Sequence, residues 1–304
     1  MEPFLWDQRP VSLTVSIGMV RVVPSLTSIE EVLSIGRVAV LKSKTRRKNR
    51  VSLPDDTSTA AAWLTPTLRT FLEVIRSAEG VDVRAQPIVR LDDGRPTGWE
   101  LLVRGPAGPL ESPADLFRMA EEHQLSTTLD MSCLRRASQA GHDLRKPGQI
   151  HLNLLPVTLL EVPTSQVLET LGPPPPRARW CVELSERQFV GEPQELFDAV
   201  EALRAAGVGL AIDDVGSGRG TLDSVIALEP EVMKLDIRLV KGIAEDSRRR
   251  RMVERLLRMA YALDTEVVAE GIETRADLTV LRELGVQQGQ GFVWGRPQLV
   301  PRRT

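Results

Sequence analysis

The amino-acid sequence predicts an α/β protein, a TIM-like (β/α)8 barrel preceded by a small α+β piece. From Val81 onward, eight short apolar runs alternate with amphipathic helical stretches. Many of these runs end in an acidic or amide side chain. Their ends lie roughly 20 to 50 residues apart, near the ~30 residues of one strand-plus-helix unit. The length of 304 residues suits one barrel of ~250 residues plus a small appendage.

The first 52 residues have the pattern strand, strand, helix, strand, given by SLTVSIGMV, RVVP, SIEEVLSIGRVAVLKSKT and NRVSL. So small a piece buries too little apolar surface to be stable alone, so it either packs on the rest of the chain or belongs to something that is missing. Residues 53–65 are small and polar, which is typical of a linker. A helix is then expected, with Thr65 as N-cap and Pro66 in its first turn.

Residues 66–304 are predicted to form the barrel. Amphipathic helices separate the apolar runs, and several of them end at a glycine suited to a helix C-cap. Alternating strands and helices imply a mainly parallel sheet. The evenly spaced acids favour a closed barrel over an open, doubly wound sheet. The predicted strands are VRAQPIV, PTGWELLV, QIHLNLL, RWCVELS, VGLAIDD, EVMKLDI, TEVVAEG and GFVWG.

The composition excludes several classes of protein. With 42% hydrophobic and 26% charged residues, the chain has no apolar stretch near the ~18 residues of a membrane span, and no signal peptide opens it. We therefore expect a cytoplasmic protein without membrane insertion. The net charge of −2 gives no argument for a nucleic-acid polymer as partner. The basic runs KSKTRRKNR and SRRRR lack interleaved aromatic residues and are interpreted as solvated faces.

Cysteine and histidine are scarce. Cys133 and Cys181 lie in helix-like and strand-like contexts, which favours buried free thiols in a reducing compartment. Three histidines argue against a His-rich zinc site or a Ser-His-Asp triad. His151 begins a strand and is interpreted as a packing residue.

The polar residues at the strand ends predict a metal site. In a barrel the C-terminal ends of the strands meet at one mouth, so these side chains would share a pocket. Several anionic oxygens in one pocket are costly unless they hold cations. Carboxylate and amide oxygens suit Mg²⁺ or Mn²⁺ rather than zinc. The residues concerned are Glu100, Asn153, Glu183, Asp213, Asp214, Lys234, Glu270 and Gln290.

Asp213–Asp214 and Lys234 indicate the chemistry. Adjacent carboxylates point to different sides and could serve two ions ~4 Å apart, an arrangement used in phosphodiester hydrolysis. The alternative is a solvated turn before Gly216. Lys234 could lower the charge of the pocket, orient a water or stabilise a phosphate in the transition state. Its alternative is a structural salt bridge to Asp236 or a neighbour.

Eight ordered motifs resemble those of the EAL domain, a bacterial family that hydrolyses cyclic di-GMP. The resemblance runs from about Pro66 to Pro297 and makes residues 66–304 the EAL domain. The motifs are AQPIVRLDDG, GWELLVRG, HLNLLP, VELSE, AIDDVGSG, MKLD, AEGIE and GQGFVWGRP.

The resemblance implies a role for each residue of the site. Two Mg²⁺ or Mn²⁺ ions would bind at the mouth, Lys234 would assist the catalytic water, and Glu270 would also take part in catalysis. Glu186 would anchor the loop after Asp214, and Glu273 is a further recurrent acid. The implied metal ligands are Glu100, Asn153, Glu183, Asp213, Asp214 and Glu270. The implied contacts to the dinucleotide are Gln86, Arg104 (through its fork of donors) and Gln290.

The chain departs from the family pattern in places. The signature reads Glu100-Leu101-Leu102, Leu155 replaces a serine, and the loop after Asp214 is altered. That loop couples metal binding to dimerisation in the family, so the resemblance also implies a homodimer through the EAL domain. The altered positions of the loop are Val215, Ser217, Arg219, Gly220 and Thr221.

The piece before the barrel resembles the last part of a GGDEF domain, through TVSIGMV and the helix ending in AVLKSKTRRKNRV. The signature loop and nucleotide-binding half are absent, which implies a truncated or degenerate remnant (residues 1–52) without cyclase activity. Alternatively, Met1 is an internal start or a boundary within a longer protein.

The leading functional hypothesis is metal-dependent hydrolysis of cyclic di-GMP to linear pGpG. One alternative is a catalytically weak or inactive EAL domain that acts as a cyclic di-GMP receptor, which the altered loop favours. Another is an interaction protein that binds no nucleotide. The complete set of acids and Gln86, Arg104 and Gln290 favour the enzyme.

Overall fold

The computed structural model describes residues 66–302 except 79, 190–192 and 217–220. Of the first 52 residues it describes 4–6, 9–11, 15–20, 36, 39–40, 43 and 51–52. The chain divides into two units, Met1–Thr70 and Phe71–Thr304. The predicted linker at 53–65, the Thr65 cap, the strand RVVP and most of the first predicted helix lie outside the described residues.

The first unit contains two small sheets. Strands β1 (Phe4–Trp6) and β2 (Arg9–Val11) pair antiparallel, a hairpin that the sequence pattern did not indicate. Strands β3 (Ile17–Gly18) and β4 (Val51–Ser52) pair in parallel, within the predicted strands SLTVSIGMV and NRVSL. A Cβ on Gly18 would lie 2.5 Å from the backbone nitrogen of Val40, so only glycine allows this strand and helical segment to approach so closely.

Eight strands of the second unit close into a barrel, which confirms the predicted fold class. Each strand pairs with its neighbours in chain order, and the last returns to the first. The first strand runs antiparallel to both its neighbours, because only the short turn at 91–95 joins it to the second. The other pairs are parallel. The strands are β5 (Asp82–Arg90), β6 (Pro96–Arg104), β7 (Gly148–Asn153), β8 (Ala178–Ser185), β9 (Gly209–Val215), β10 (Val232–Leu235), β11 (Glu266–Ala269) and β12 (Gln288–Gly289). A short strand, β13 (Gln298–Leu299), adds to β5.

Helices cover the barrel and bury its apolar outer face. Their described members are α1 (Pro66–Ser77), α2 (Pro113–Glu122), α3 (Ser126–Leu144), α4 (Pro156–Glu161), α5 (Thr164–Leu171), α6 (Phe197–Ala205), α7 (Thr221–Leu228), α8 (Ile237–Val240), α9 (Ser247–Ala262) and α10 (Arg275–Glu283). Side chains cap several N-termini: Asp246 accepts from the backbone of Arg248 and Arg249, and Thr274 accepts from Asp277. Across the described residues, no helix is both long and apolar enough to cross a membrane.

The predicted eighth strand, GFVWG at 291–295, is wrong. The strand is the preceding pair Gln288–Gly289, and the following residues form a turn in which the Gly295 amide donates to the Phe292 carbonyl. A strand needs a partner, and β11 ends at Ala269. The Val293 amide therefore donates to the Ile272 carbonyl in the loop beyond it.

The inside of the barrel has an apolar layer below a polar one. The apolar layer consists of Ile88, Cys181, Ala211, Val232 and Val268. Side chains two positions apart on a strand point the same way, and the next inward residue toward the mouth is polar on each of these strands or, for β11, directly after its end. Those residues are Gln86, Glu183, Asp213, Lys234 and Glu270. Cys133 and Cys181 are both buried and free, as predicted.

Candidate active site

Lys234 lies at the centre of the polar layer and is fully buried. Its Nζ is 2.7 Å from Glu270 Oε1, 2.8 Å from Glu183 Oε1, 3.3 Å from Glu100 Oε2 and 3.7 Å from Asp213 Oδ1. We refer to these four acids as the carboxylate cluster. The structure thus brings together residues from β6, β8, β9 and β10 with one that follows β11. The prediction that Glu100 lies at a strand end is wrong: it lies in the middle of β6, because the ladder with β5 continues as far as Arg104. Of the ion pairs among described residues, none joins Lys234 to Asp236.

The charged groups of the cluster shift one another's pKa values. Burial alone would lower the pKa of Lys234, but the surrounding carboxylates hold it well above its ordinary value. Burial alone would raise the pKa of Glu183, but the attraction of Lys234 and the hydrogen bond and charge of His151 outweigh burial and lower that pKa to about 2. The Glu183–Lys234 pair is therefore firmly ionised.

Two other members of the cluster resist ionisation. Burial raises the pKa of Asp213 to about 7, with repulsion from Glu183 and Glu100 adding to the shift. The pKa of Glu270 lies well above its usual range for the same reasons, burial first. One ammonium therefore does not balance four carboxylates, and an added cation would favour their ionised forms.

Amide side chains hold Glu100 from both sides. Asn153 Nδ2 donates to Glu100 Oε1 at 3.1 Å, and Gln290 Nε2 donates to Glu100 Oε2 at 2.7 Å. Gln290 Nε2 also reaches Gln86 Oε1 at 2.9 Å. Gln290 Oε1 is buried and has no hydrogen-bond partner among the described residues, so an acceptor at the mouth is left available to a ligand.

Asp213 and Asp214 contact different groups, although they are adjacent. Asp213 belongs to the carboxylate cluster, whereas Asp214 Oδ2 accepts from Ser185 Oγ at 3.0 Å. Asp214 has a left-handed backbone (φ 62°), and its amide donates to Asp213 Oδ1 at 2.8 Å. The two carboxylates are therefore fixed in separate orientations.

The donor set fits a hard divalent cation. It consists of carboxylate and amide oxygens, the ligands of Mg²⁺, Mn²⁺ and Ca²⁺, and it carries excess negative charge. In the part of the chain that the structure describes, no three acidic, His or Cys side chains are arranged around a single metal position. Four of the predicted ligands face the Lys234 ammonium instead.

A cavity of about 300 Å³ opens beside these residues. Arg104, Asn153, Asp213 and Asp214 line it, together with apolar side chains that include Leu155. Burial lowers the pKa of Arg104, and its Nη1 donates to the Val103 carbonyl at 2.7 Å. A ligand in this cavity would meet both a guanidinium and the carboxylates.

Two residues implied by the resemblance lie apart from the carboxylate cluster. Glu186 is buried in the 3-10 turn Glu186–Gln188 that follows β8. Glu273 lies beyond β11 and pairs with Lys241 at 2.9 Å.

His151 contacts the carboxylate cluster. The sequence analysis interpreted it as a packing residue and so missed this contact. Its Nδ1 lies 2.7 Å from Glu183 Oε1, and its Nε2 lies 3.1 Å from Gln149 Oε1. The signal was available, because His151 is two positions before Asn153 and so lies on the same inward face of β7. It helps to fix the orientation of Glu183.

Comparisons with known proteins agree with this architecture. A signalling protein of Caulobacter vibrioides, described as uncharacterized, is 33% identical over 73% of this chain and 28% of its own length. The cyclic di-GMP phosphodiesterase NbdA of Pseudomonas aeruginosa is 27% identical over 97% of this chain and 39% of its own. The chain therefore spans about a third of the length of these curated relatives.

A solved structure has the same fold. It is the structure of Klebsiella pneumoniae BlrP1 in a calcium and cyclic di-GMP complex, which matches this chain with a TM-score of 0.65. The match has 24% sequence identity and covers 86% of this chain and 71% of the BlrP1 chain. The EAL-domain family model matches residues 69–297. The barrel, its cluster of inward-facing acids and this match lead to one conclusion: the chain belongs to the EAL-domain family.

Proposed function

We propose that this chain is a metal-dependent phosphodiesterase that hydrolyses cyclic di-GMP to linear pGpG. The observation that carries the proposal is the convergence of four carboxylates on Lys234 at the barrel mouth, next to a cavity that reaches Arg104. Membership of the EAL-domain family and the activity named for the relative NbdA support it.

The metal site would hold two ions, Mg²⁺ or Mn²⁺. When bound, the ions supply Lewis-acid stabilisation of the phosphate charge and a lowered pKa of water at the site. The proposed ligands are Glu100, Asn153, Glu183, Asp213, Asp214 and Glu270. Fixed orientations support this set, since neighbouring side chains hold Glu100, Glu183 and Asp214 in place.

The other residues of the chain bind and orient the substrate and the water. Arg104 offers a fork of donors to a phosphate, and Gln86 and Gln290 offer amide groups to the dinucleotide. Lys234 is held at the centre of the cluster, where its ammonium can orient the attacking water. Attack in line with the P–O3′ bond then releases the 3′ oxygen. Glu186 is proposed to anchor the loop that follows Asp214.

A hydrolysis assay tests the proposal. Purified protein incubated with cyclic di-GMP and Mn²⁺ should release pGpG, detected by chromatography, and chelation of the metal should stop the reaction. Glu100→Ala and Asp213→Ala should each abolish turnover because each removes a ligand. Glu121→Ala, a change of an exposed acid on α2, serves as the matched control. Unchanged hydrolysis by either site variant would refute the assignment.

A receptor function is the second candidate. It is favoured by the contact of Asp214 with Arg187, whose Nη2 lies 3.3 Å from Asp214 Oδ1, because a cation beside a ligand weakens metal binding. The same incubation separates the two functions. Tight binding of cyclic di-GMP without pGpG indicates a receptor.

Two organisational features belong to the proposal. Residues 1–52 would be a GGDEF-like remnant joined by a linker at 53–65 to the EAL domain at 66–304, and the EAL domain would form homodimers. Light scattering of the full chain and of residues 66–304 tests whether both are dimeric. A monomeric chain at micromolar concentration would contradict the dimer.

A further inference from the structure

Asp214 uses both of its carboxylate oxygens in contacts with protein groups. Oδ2 accepts from Ser185 Oγ at 3.0 Å, and Oδ1 lies 3.3 Å from Arg187 Nη2. The first contact is neutral and constrains orientation, whereas the second brings a full positive charge to the carboxylate. Asp214 thus faces a cation from its own chain.

Arg187 is held in this position by a second acid. Its Nη2 also donates to Asp236 Oδ2. Asp236 is fully buried and caps α8, accepting from the Arg238 amide at 2.6 Å and from Arg238 Nε at 3.0 Å. Asp236 therefore holds the guanidinium beside Asp214 in this structure. The Arg187 side chain is 46% exposed, so it can move outward into solvent.

We propose that Arg187 competes with a divalent cation for Asp214 and raises the metal concentration at which this part of the site fills. The inference rests on the proposed function, in which Asp214 is a metal ligand. A cation bound by Asp214 would lie within a few ångströms of the guanidinium. Repulsion between a single and a double charge at such a separation, in a largely aqueous dielectric, weakens binding by up to roughly tenfold.

A purely orienting role would predict the opposite effect. If Arg187 served to hold Asp214 in place, its removal would loosen the ligand and weaken metal binding. The orientation of Asp214 is already set by Ser185, by the bond between its own amide and Asp213, and by the pairing of β8 with β9. The contribution that remains to Arg187 is its charge.

Mn²⁺ titration of the full chain, followed by electron paramagnetic resonance of the free ion, tests the inference without measuring turnover. Arg187→Gln should lower the Kd of the weaker Mn²⁺ site about threefold to tenfold. Arg187→Lys keeps the charge and should stay within about twofold of the parent chain. Arg90→Gln is the matched control, because Arg90 is about as exposed as Arg187 and pairs with Asp93 at the end of β5 that faces away from the mouth.

The outcomes are distinguishable from those of the proposed function. If the Kd of the weaker Mn²⁺ site in Arg187→Gln equals or exceeds that of the parent chain, Arg187 does not compete with the cation. This conclusion holds even if the parent chain produces pGpG from cyclic di-GMP. Tighter binding by both Arg187→Gln and Arg90→Gln to the same extent also overturns the competition, since a general loss of positive charge would then explain the result. Absence of Mn²⁺ binding in the parent chain and in Arg187→Gln overturns both proposals.

Discussion

Replacement of Lys234 with methionine provides a direct test of the electrostatics of the site. Methionine keeps most of the volume of the side chain but removes the ammonium that contacts all four acids of the cluster. In the absence of metal, the four acids then lose the one ammonium with which all of them pair among the described residues. Removing one partner of a buried ion pair costs about 3–5 kcal/mol, because the remaining charge stays buried without compensation.

The loss should depend on pH, and its sign follows from the pKa values. Asp213 and Glu270 have pKa values raised above those of the unfolded chain, Asp213 to about 7, so their ionised forms destabilise the fold. This penalty grows as pH rises from about 4 toward 7 and is fully present above the folded pKa. Without Lys234 the penalty is larger. The difference in stability between Lys234→Met and the parent chain should therefore be larger at pH 8 than at pH 5.

Thermal unfolding followed by circular dichroism measures this difference. At pH 8 without metal, a loss of 3–5 kcal/mol corresponds to a decrease in Tm of about 6–15 °C for a domain of this size. Added Mn²⁺ should restore part of the stability, because a bound cation replaces the lost charge. Lys241→Met is the matched control: the Lys241 side chain is 62% exposed and pairs with Glu273, so its loss should cost at most about 1 kcal/mol. A Tm that is unchanged, or a loss equal at pH 5 and pH 8, would refute the reasoning.

Two further predictions concern stability away from the carboxylate cluster. Burial raises the pKa of Asp130 to about 7, so the ionised carboxylate destabilises the fold at high pH. Asp130→Asn keeps an acceptor for the Thr158 hydroxyl and should stabilise the protein at pH 8 by up to about 4 kcal/mol. Urea unfolding at pH 8 and pH 4 should show that this gain decreases as pH falls toward 4. A gain independent of pH would contradict this. Gly141→Ala places a Cβ 2.6 Å from the buried ring of Trp180 and should lower the free energy of unfolding by about 1–3 kcal/mol in the same assay. Gln139→Ala, on the exposed side of α3, is the control and should change stability little. Equal effects of the two substitutions would rule out the steric clash.

Much of the site could be predicted because strand geometry is periodic. On a barrel strand, an inward residue is followed two positions later by another, so the acids at the ends of apolar runs had to share the mouth. Glu183, Asp213 and Lys234 illustrate this, and their residue types already indicated a cation site. The alternation of strands and helices predicted a mainly parallel sheet, and the even spacing of the acids favoured its closure into a barrel.

Other features depended on contacts that have no local sequence pattern. GFVWG has the composition of a strand, but whether it becomes one depends on a partner, and β11 ends at Ala269 before it can provide one. The contact of His151 with Glu183 could be known only from the register of β7 against β8, which places Cys181 opposite His151 and Glu183 two positions further along. The two strands of the first hairpin, Phe4–Trp6 and Arg9–Val11, are too short to produce a clear alternation.

The amino-acid sequence by itself determined the fold class, the family resemblance and the group of residues that meet at the barrel mouth, because these depend on periodicity and residue type. Only the tertiary structure decided how the charges within that group are paired. Lys234 contacts four carboxylates rather than Asp236, and Arg187 bridges Asp214 to Asp236. Pairing depends on distances of a few ångströms between side chains that are 21 to 134 positions apart in the chain. The Coulomb energy of each pair changes steeply over those few ångströms.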